Sequence, residues 1–244
     1  MFLLLPPSEG KAVGGTPRTK WAPGQGTFGR ALGSKRKEIV EALAAVGGGD
    51  GALLGVKGDH LDRARSANTC LNGAPTLPAA QRYTGVVWDH LDLSSLRAQL
   101  KSKALEHIIV VSGLMGAVLA GDPVPDYRLK MGARLAPFGT MSKWWVDAVS
   151  DAINTHCAGH IVIDLLPNEH RAAFRADAGA LHLSARVDLV TPTGKAGGHD
   201  AKAAKGLLAR HLLENARKIT DEKSLKAVLA QFTDQRFRCV TNVN

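Results

Sequence analysis

The run Ile108-Ile109-Val110-Val111 constrains the fold of this chain more than any other segment. Four consecutive β-branched residues lose side-chain freedom in a helix and pack well on a pleated surface, so His107–Ser112 reads as a buried strand. Phe2–Leu5, stopped by Pro6, and His160–Leu165 read as further buried strands, and Leu181–Leu189 alternates like a strand with one face exposed. Helical patterns lie between them. Arg30–Val46 carries Leu32, Ile39, Leu43 and Val46 at helical spacing and stops at Gly47-Gly48-Gly49. Gly51–Leu54 and Asp59–Asn68 flank the glycine hairpin Gly55-Val56-Lys57-Gly58. Ser94–Leu100 with Ser94 as its cap, Trp144–Ala158, Ala201–Ala216 and Asp221–Phe232 complete the helices, and Arg236–Val240 reads as a late edge strand. Strands separated by helices predict an α/β (mixed α+β) fold with a central sheet flanked by helices. The chain of 244 residues, 45% hydrophobic, suffices for one core, so residues 1–244 are expected to form a single domain, with the helical segment 30–75 as a candidate subdomain. Residues 12–29, rich in Gly, Pro and Thr without period, read as a surface loop.

Lys and Arg number 31 against 22 Asp and Glu, a formal charge of +9. Such a surplus attracts polyanions and makes nucleic acid a candidate partner; an anionic small substrate is the alternative. Cys70, Cys157 and Cys239 are odd in number and widely spaced, which fits neither a disulfide framework nor a structural metal and points to a reducing cytoplasm. The apolar start before Pro6 is too short for a secretory leader or a membrane span. Nine histidines, His199 among them, are scattered; His156 and His160 alone have i, i+4 spacing, across a helix end, and no metal or cofactor is expected.

Two constellations carry chemistry. The first is the hairpin. Gly55 and Gly58 let the chain turn tightly, Lys57 adds a charge, and Arg63 and Arg65 on the next helix extend a phosphate contact. An ordinary turn between packed helices would look the same. The second consists of acids and bases at strand ends and in loops: Ser8, Glu9 and Lys11 after the first strand, Tyr83, then Asp126, Tyr127 and Arg128 behind a Pro-Val-Pro brace. Asp164, Asn168 and Glu169 follow a later strand, and Lys202 and Arg210 lie on a late helix. Carboxylates beside cations either shift pKa values for acid–base work or pair to hold the fold. A nucleotide or damaged-base pocket would use Tyr83 or Trp145 to stack, Glu169 or Asp126 as acid or base, and Arg128 or Lys11 on phosphate. No Gly-x-Ser-x-Gly elbow, Walker loop or dinucleotide fingerprint is present, so no catalytic motif fixes a reaction.

The ordered motifs Pro6–Lys11, Tyr83-Thr84-Gly85, Ser112–Gly116, Pro125–Gly132, Asp164-Leu165 with Asn168-Glu169, and Lys205–Arg210 with Glu214-Asn215 resemble the YaaA family of peroxide-stress proteins across nearly the whole chain. The resemblance implies a bacterial cytoplasmic protein that limits damage when peroxide meets intracellular iron. It also implies a compact mixed α/β unit that binds double-stranded DNA through a helix-hairpin-helix element and a basic cleft. Leu166–His170 departs from the family's usual small-polar-acidic-Glu-Tyr run, which leaves the role of His170 open.

Overall fold

The computed structural model describes residues 1–193, 200–234 and 236–243. Its central sheet has six strands: β1 (Phe2–Leu5), β2 (Ile108–Ser112), β3 (Gly116–Leu119), β4 (Ile161–Asp164), β5 (Leu183–Val190) and β6 (Arg238–Val243). They lie in the order β6-β5-β4-β1-β2-β3. β1 runs parallel to β2 and β4, and β4 parallel to β5; the edges β3 and β6 are antiparallel to their neighbours. β1, β2 and β4 are buried along their whole length, the reason their sequences are continuous apolar runs, whereas β5 alternates. In register, Leu4 stands between Ile109 and Asp164.

The helices, in chain order, are α1 (Gly29–Ala45), α2 (Gly51–Leu54), α3 (Asp59–Thr69), α4 (Val86–Leu91), α5 (Ala98–His107), α6 (Met141–His156), α7 (Asn168–Arg171), α8 (Asp200–Glu214) and α9 (Glu222–Ala230), with a further turn at Ala79–Arg82. Leu32, Ile39 and Leu43 of α1 belong to the same apolar cluster as the strands. Within that stripe sits Arg36, fully buried: its guanidinium donates to the carbonyls of Met115 (2.9 Å), Pro23 (3.0 Å), Gln25 (2.8 Å) and Ala117 (2.8 Å). Burial pulls its pKa down to about 10, against the opposing pull of Asp122 and Tyr83, and it stays charged at neutral pH.

Several elements differ from the sequence reading, among them β3 and α4, which it does not contain. Residues 12–29 contain a strand, Thr16–Lys20, which pairs with Pro75–Pro78, itself paired with Pro123–Val124. All five of its residues are exposed, so it lacks the alternation by which a half-buried strand is recognised. Arg82 ties the segment before it to its partner strand, its guanidinium donating to the carbonyls of Ala12, Gly14 and Pro75. The helix read over Ser94–Leu100 is instead α5, beginning at Ala98. Ser94 does not cap it, because its hydroxyl donates to Asp92 Oδ1 (2.5 Å) within a short 3-10 turn.

Candidate functional site

The chain leaves β1 towards β2 and leaves β4 towards β5, on opposite sides, so a crevice opens between the carboxyl ends of β1 and β4, where open α/β sheets bind ligands. Pro6–Lys11 and Pro167–His170 border it. Gly10-Lys11 forms a short antiparallel pair with Tyr83-Thr84, which joins two of the sequence motifs. A third motif crosses the end of β2. A Cβ on Gly113 would lie 2.6 Å from the Leu129 carbonyl oxygen and 2.7 Å from that of Lys130, so only glycine lets the Asp126–Gly132 segment pass so close.

Two adjoining chambers result, sharing Glu9, Gly10 and Thr84. The first, about 300 Å³, lies between the Glu9–Lys11 turn, α3 and the Asp126–Arg128 segment. The Lys11 ammonium donates to the Ser8 carbonyl (3.0 Å) and stands 4.2 Å from the Tyr127 ring centroid and 5.6 Å from that of Tyr83. Burial pulls its pKa down to about 7; Asp126 and Glu9 oppose the shift, and Arg128 and Arg82 add to it. The Tyr83 and Tyr127 hydroxyls, 2.8 Å apart, are buried, and burial pushes Tyr127 up to about 12 and Tyr83 well above its usual value. Arg63 binds Asp126 Oδ2 through Nη2 (2.8 Å) and Nε (3.2 Å), and the Lys11 carbonyl through Nη2 (3.0 Å). Arg128 binds Glu9 (2.8 Å) and the Leu54 carbonyl (2.9 Å), and Lys130 reaches the other Glu9 oxygen (3.2 Å). Burial raises the Glu9 carboxyl, but Lys130 and Arg128 outweigh it and hold the group below its usual range.

Asn68 fastens the helical segment to this wall. Its side chain donates to the Gly48 and Arg128 carbonyls (both 2.9 Å) and accepts from the Arg128 N–H (2.9 Å).

The second chamber, about 560 Å³, lies over Trp88 between Pro6–Glu9, Pro167–His170 and the first turns of α8. Lys205 donates to the Leu165 carbonyl; burial, with Arg171 adding to it, lowers its pKa to about 8 against the pull of Asp164 and Asp188. Burial lowers His170 to about 4, so its imidazole is neutral at physiological pH, and its buried Nδ1 has no hydrogen-bond partner among the described residues. Lys202 lines the same chamber.

Ser8, Glu9, Lys11, Tyr83, Asp126, Tyr127, Arg128 and Lys202 thus surround the two chambers or form their walls. Glu169 lies alongside, its carboxylate accepting the Gly132 N–H (2.6 Å). Asp164 is occupied beneath the site by Arg171 (2.6 Å), which also holds Asp188 (3.2 Å), and Asn168 accepts from Arg171 (3.1 Å). Arg210 lies two turns along α8 from Lys202 and closes the end of α4, donating to the Asp92 carbonyl (2.9 Å) and pairing with Glu214 (3.0 Å). Trp145 is not a stacking platform: it is fully buried, with its N–H on the Gly113 carbonyl (2.8 Å).

At the hairpin, Gly55 and Gly58 have the positive φ values their residue type implies, 64° and 55°, and Lys57 is exposed. Arg63 faces the first chamber rather than the hairpin's outer surface, and Arg65 holds the Gly49 carbonyl (2.8 Å). Lys205, His170, Asn68 and Lys130 were not among the sequence candidates. Lys205 had a readable signal, since it occupies the apolar stripe Ala201, Ala204, Lys205, Leu208, Ala209 of α8, where a charge needs a reason. His107, His156 and His160 surround the Phe2 ring, and His199 lies outside the described residues; among those described, no three His, Cys, Asp or Glu side chains gather as a metal site would require. No helix among the described residues is long and apolar enough to cross a membrane.

Sheet, crevice and lining define an α/β protein with a cation-rich cleft at the carboxyl edge of its parallel strands. Residues 1–239 match the family profile described as peroxide stress protein YaaA, and the chain belongs to that family. It is 33% identical over 222 residues to a UPF0246 protein of Streptomyces coelicolor, covering 87% of this chain and 83% of the relative. A UPF0246 protein of Corynebacterium efficiens is 34% identical over 227 residues (90% and 88%), and one of Corynebacterium glutamicum 32% over 219 residues (87% and 84%).

Proposed function

We propose that this peroxide stress protein binds double-stranded DNA, largely without regard to sequence, and that occupancy of DNA is how it limits iron-dependent oxidative damage in the cytoplasm. The observation that supports this reading best is the cation excess along the cleft. Lys11, Arg63, Arg128 and Lys130 in and beside the first chamber and Lys202 and Lys205 in the second exceed Glu9, Asp126 and Glu169, and Lys57 stands exposed at the rim. Phosphates recognised in this way position a protein without reporting base identity. The hairpin contributes through Lys57 more than through a helix end: α2 is a single turn, and the first turn of α3 carries Asp59 and Asp62, which repel a phosphate at its N-terminus. In this reading the helix-hairpin-helix is an outer lip and the cleft behind it the main contact.

The test is fluorescence anisotropy of a labelled random duplex between about 50 and 200 mM salt, where affinity should fall steeply. Lys57→Ala should weaken binding uniformly across sequences and reduce the log–log salt slope by about 1. Affinity that stays flat with salt overturns the proposal. A second reading, a nucleotide or damaged base processed in the crevice, is favoured by one observation: a half-buried amine, two carboxylates and Tyr127, its hydroxyl bonded to that of buried Tyr83, converge in a chamber that opens on the same cleft.

A further inference from the structure

We propose that Lys11 is an imine-forming amine whose Nζ condenses with the aldehyde of a sugar phosphate, presented to this cleft as an abasic site in DNA. The proposal deepens the DNA-binding reading and depends on it for the source of the aldehyde, but not for the chemistry.

Lys11 has the setting of a reacting amine rather than of a structural ion. Among the described residues its ammonium has no carboxylate within salt-bridge distance; one backbone carbonyl, from Ser8, is its hydrogen-bond partner. The remaining contacts are aromatic faces, which exclude water and tolerate a cation without fixing one. Arg36, by contrast, has four carbonyl partners and lines neither chamber. Flanking cations supply what a sugar phosphate needs: Arg63, bonded to the carbonyl of Lys11 itself, and Arg128, each oriented by a carboxylate. Arg63 keeps Nη1 without a protein partner among the described residues. A chamber of about 300 Å³ is at the small end for ligand sites and suits one sugar phosphate better than a whole nucleotide.

The groups facing Lys11 agree. Glu9 and Asp126 favour its charged form, Arg128 and Arg82 its neutral form, and burial decides for the neutral side, at a pKa of about 7. About half of the Lys11 amine is then unprotonated at pH 7, against about one in three thousand for a lysine at the ordinary 10.5. Tyr83 and Tyr127 keep their protons throughout this range.

The step balances without an oxidant or reductant. The nitrogen lone pair attacks the aldehyde carbon, the N–C bond forms, and the carbonyl electron pair moves to oxygen. The C–O bond then breaks, and oxygen leaves as water with both amine protons, leaving C=N. Asp126, inside the chamber, is placed to take up and return the proton between these steps.

The experiment uses the full chain and cyanoborohydride, which reduces an imine to a stable amine. One arm offers a duplex with a single abasic site, a second the same duplex with the tetrahydrofuran analogue, which has no aldehyde, and a third 2-deoxyribose 5-phosphate. The expected result is a covalent adduct in the first and third arms, none in the second, mapped to the Lys11 peptide over exposed Lys37 and Lys57 by more than about ten-fold, because Lys11 is the amine set inside the chamber. Lys11→Arg should abolish that adduct. Mapping on the wild-type chain keeps the test decisive if the variant does not fold. Absence of a Lys11 adduct from both aldehyde arms overturns the proposal, as does an adduct spread evenly over surface lysines. Trapping of the sugar phosphate at Lys11 without any duplex binding would sustain the imine and sink the DNA reading; salt-dependent duplex binding without trapping would do the reverse.

Discussion

Gly206→Ala tests how α8 is seated over the cleft, because two physical effects predict opposite signs. In a helix interior alanine is better than glycine by about 1 kcal/mol, so propensity alone predicts a more stable protein. Packing predicts the reverse. A Cβ on Gly206 would lie 2.8 Å from His90 Cβ and 2.9 Å from the Leu91 nitrogen, with the Val87 carbonyl oxygen nearer still. Ordinary contact is about 3.5–4.0 Å, so α8 and α4 must separate by on the order of 1 Å. Two of the three opposing atoms are backbone and cannot rotate away. Overpacking of this kind costs about 1–3 kcal/mol, and a clash with two fixed atoms belongs at the upper end. Subtracting the propensity gain leaves a net loss of about 2 kcal/mol, or about 4–8 °C in Tm for a chain of this length. Differential scanning calorimetry measures it directly. An unchanged or raised Tm would refute the reasoning. Lys205 precedes Gly206 and reaches the Leu165 carbonyl, so the same displacement should widen the second chamber.

Other perturbations separate the forces around the site. Asn68→Ala removes three hydrogen bonds joining Gly48 to Arg128 and should cost about 2–4 kcal/mol in a urea titration, with faster amide exchange in α3; a loss below about 1 kcal/mol would show that water replaces the bridge. Arg171→Met leaves Asp164 buried without its cation and should cost about 3–5 kcal/mol near neutral pH. Burial already raises the Asp164 pKa despite Arg171, and losing the cation raises it further, so the folded variant gains a proton as pH falls. Its deficit relative to the wild type should therefore shrink as pH falls below neutral, and a deficit that does not change with pH would contradict this account. Lys11 binds its proton in the unfolded chain up to about pH 10.5 but in the folded chain only up to about 7, so wild-type stability should rise with pH across that window. Lys205, lowered to about 8, acts in the same direction. Lys11→Met should flatten the rise measured by urea midpoints at pH 7 and 9.5; parallel pH profiles would exclude burial of the charge as its cause.

The fold was readable where a single force determines an element. β1, β2 and β4 are buried on both faces, and burial writes itself into a strand as an unbroken apolar run. Thr16–Lys20 escaped because its place is set by backbone pairing with Pro75–Pro78 and by the reach of Arg82 across nearly 70 positions of sequence, neither of which leaves a periodic trace. The site was readable as parts and not as a whole. Ser8, Glu9, Lys11, Tyr83, Asp126, Tyr127 and Arg128 follow strand ends and braced turns, and they do meet. That they meet in two chambers, with Arg210 turned away to close α4, follows from the order of β4, β1 and β2 in the sheet, which sequence pattern does not specify. Arg65 illustrates the same limit, since its spacing suits a phosphate contact equally well whether its guanidinium faces outward or holds Gly49.

Buried polar groups on apolar stripes separate framework from function in this molecule. Arg36 and Lys205 have the same signature, a cation where α1 and α8 otherwise present apolar side chains to the core. Burying an ionised group is costly unless its hydrogen bonds are met, so the degree to which they are met is informative. Arg36 donates to four carbonyls and Asn68 makes three bonds; both hold segments together and neither faces a chamber. Among the described residues Lys11 and Lys205 each have a single carbonyl partner, and His170 Nδ1 has none. Among the described residues Trp21 and Trp144 also leave a buried N–H unpaired, but they line neither chamber and carry no charge. The under-satisfied titratable groups therefore gather at the carboxyl edge of the parallel strands, where the protein carries a stability cost it could avoid with apolar side chains. Such a cost is retained where a ligand offsets it. An anion bound in the second chamber, which Lys205 and His170 both line, should raise Tm in proportion to its occupancy.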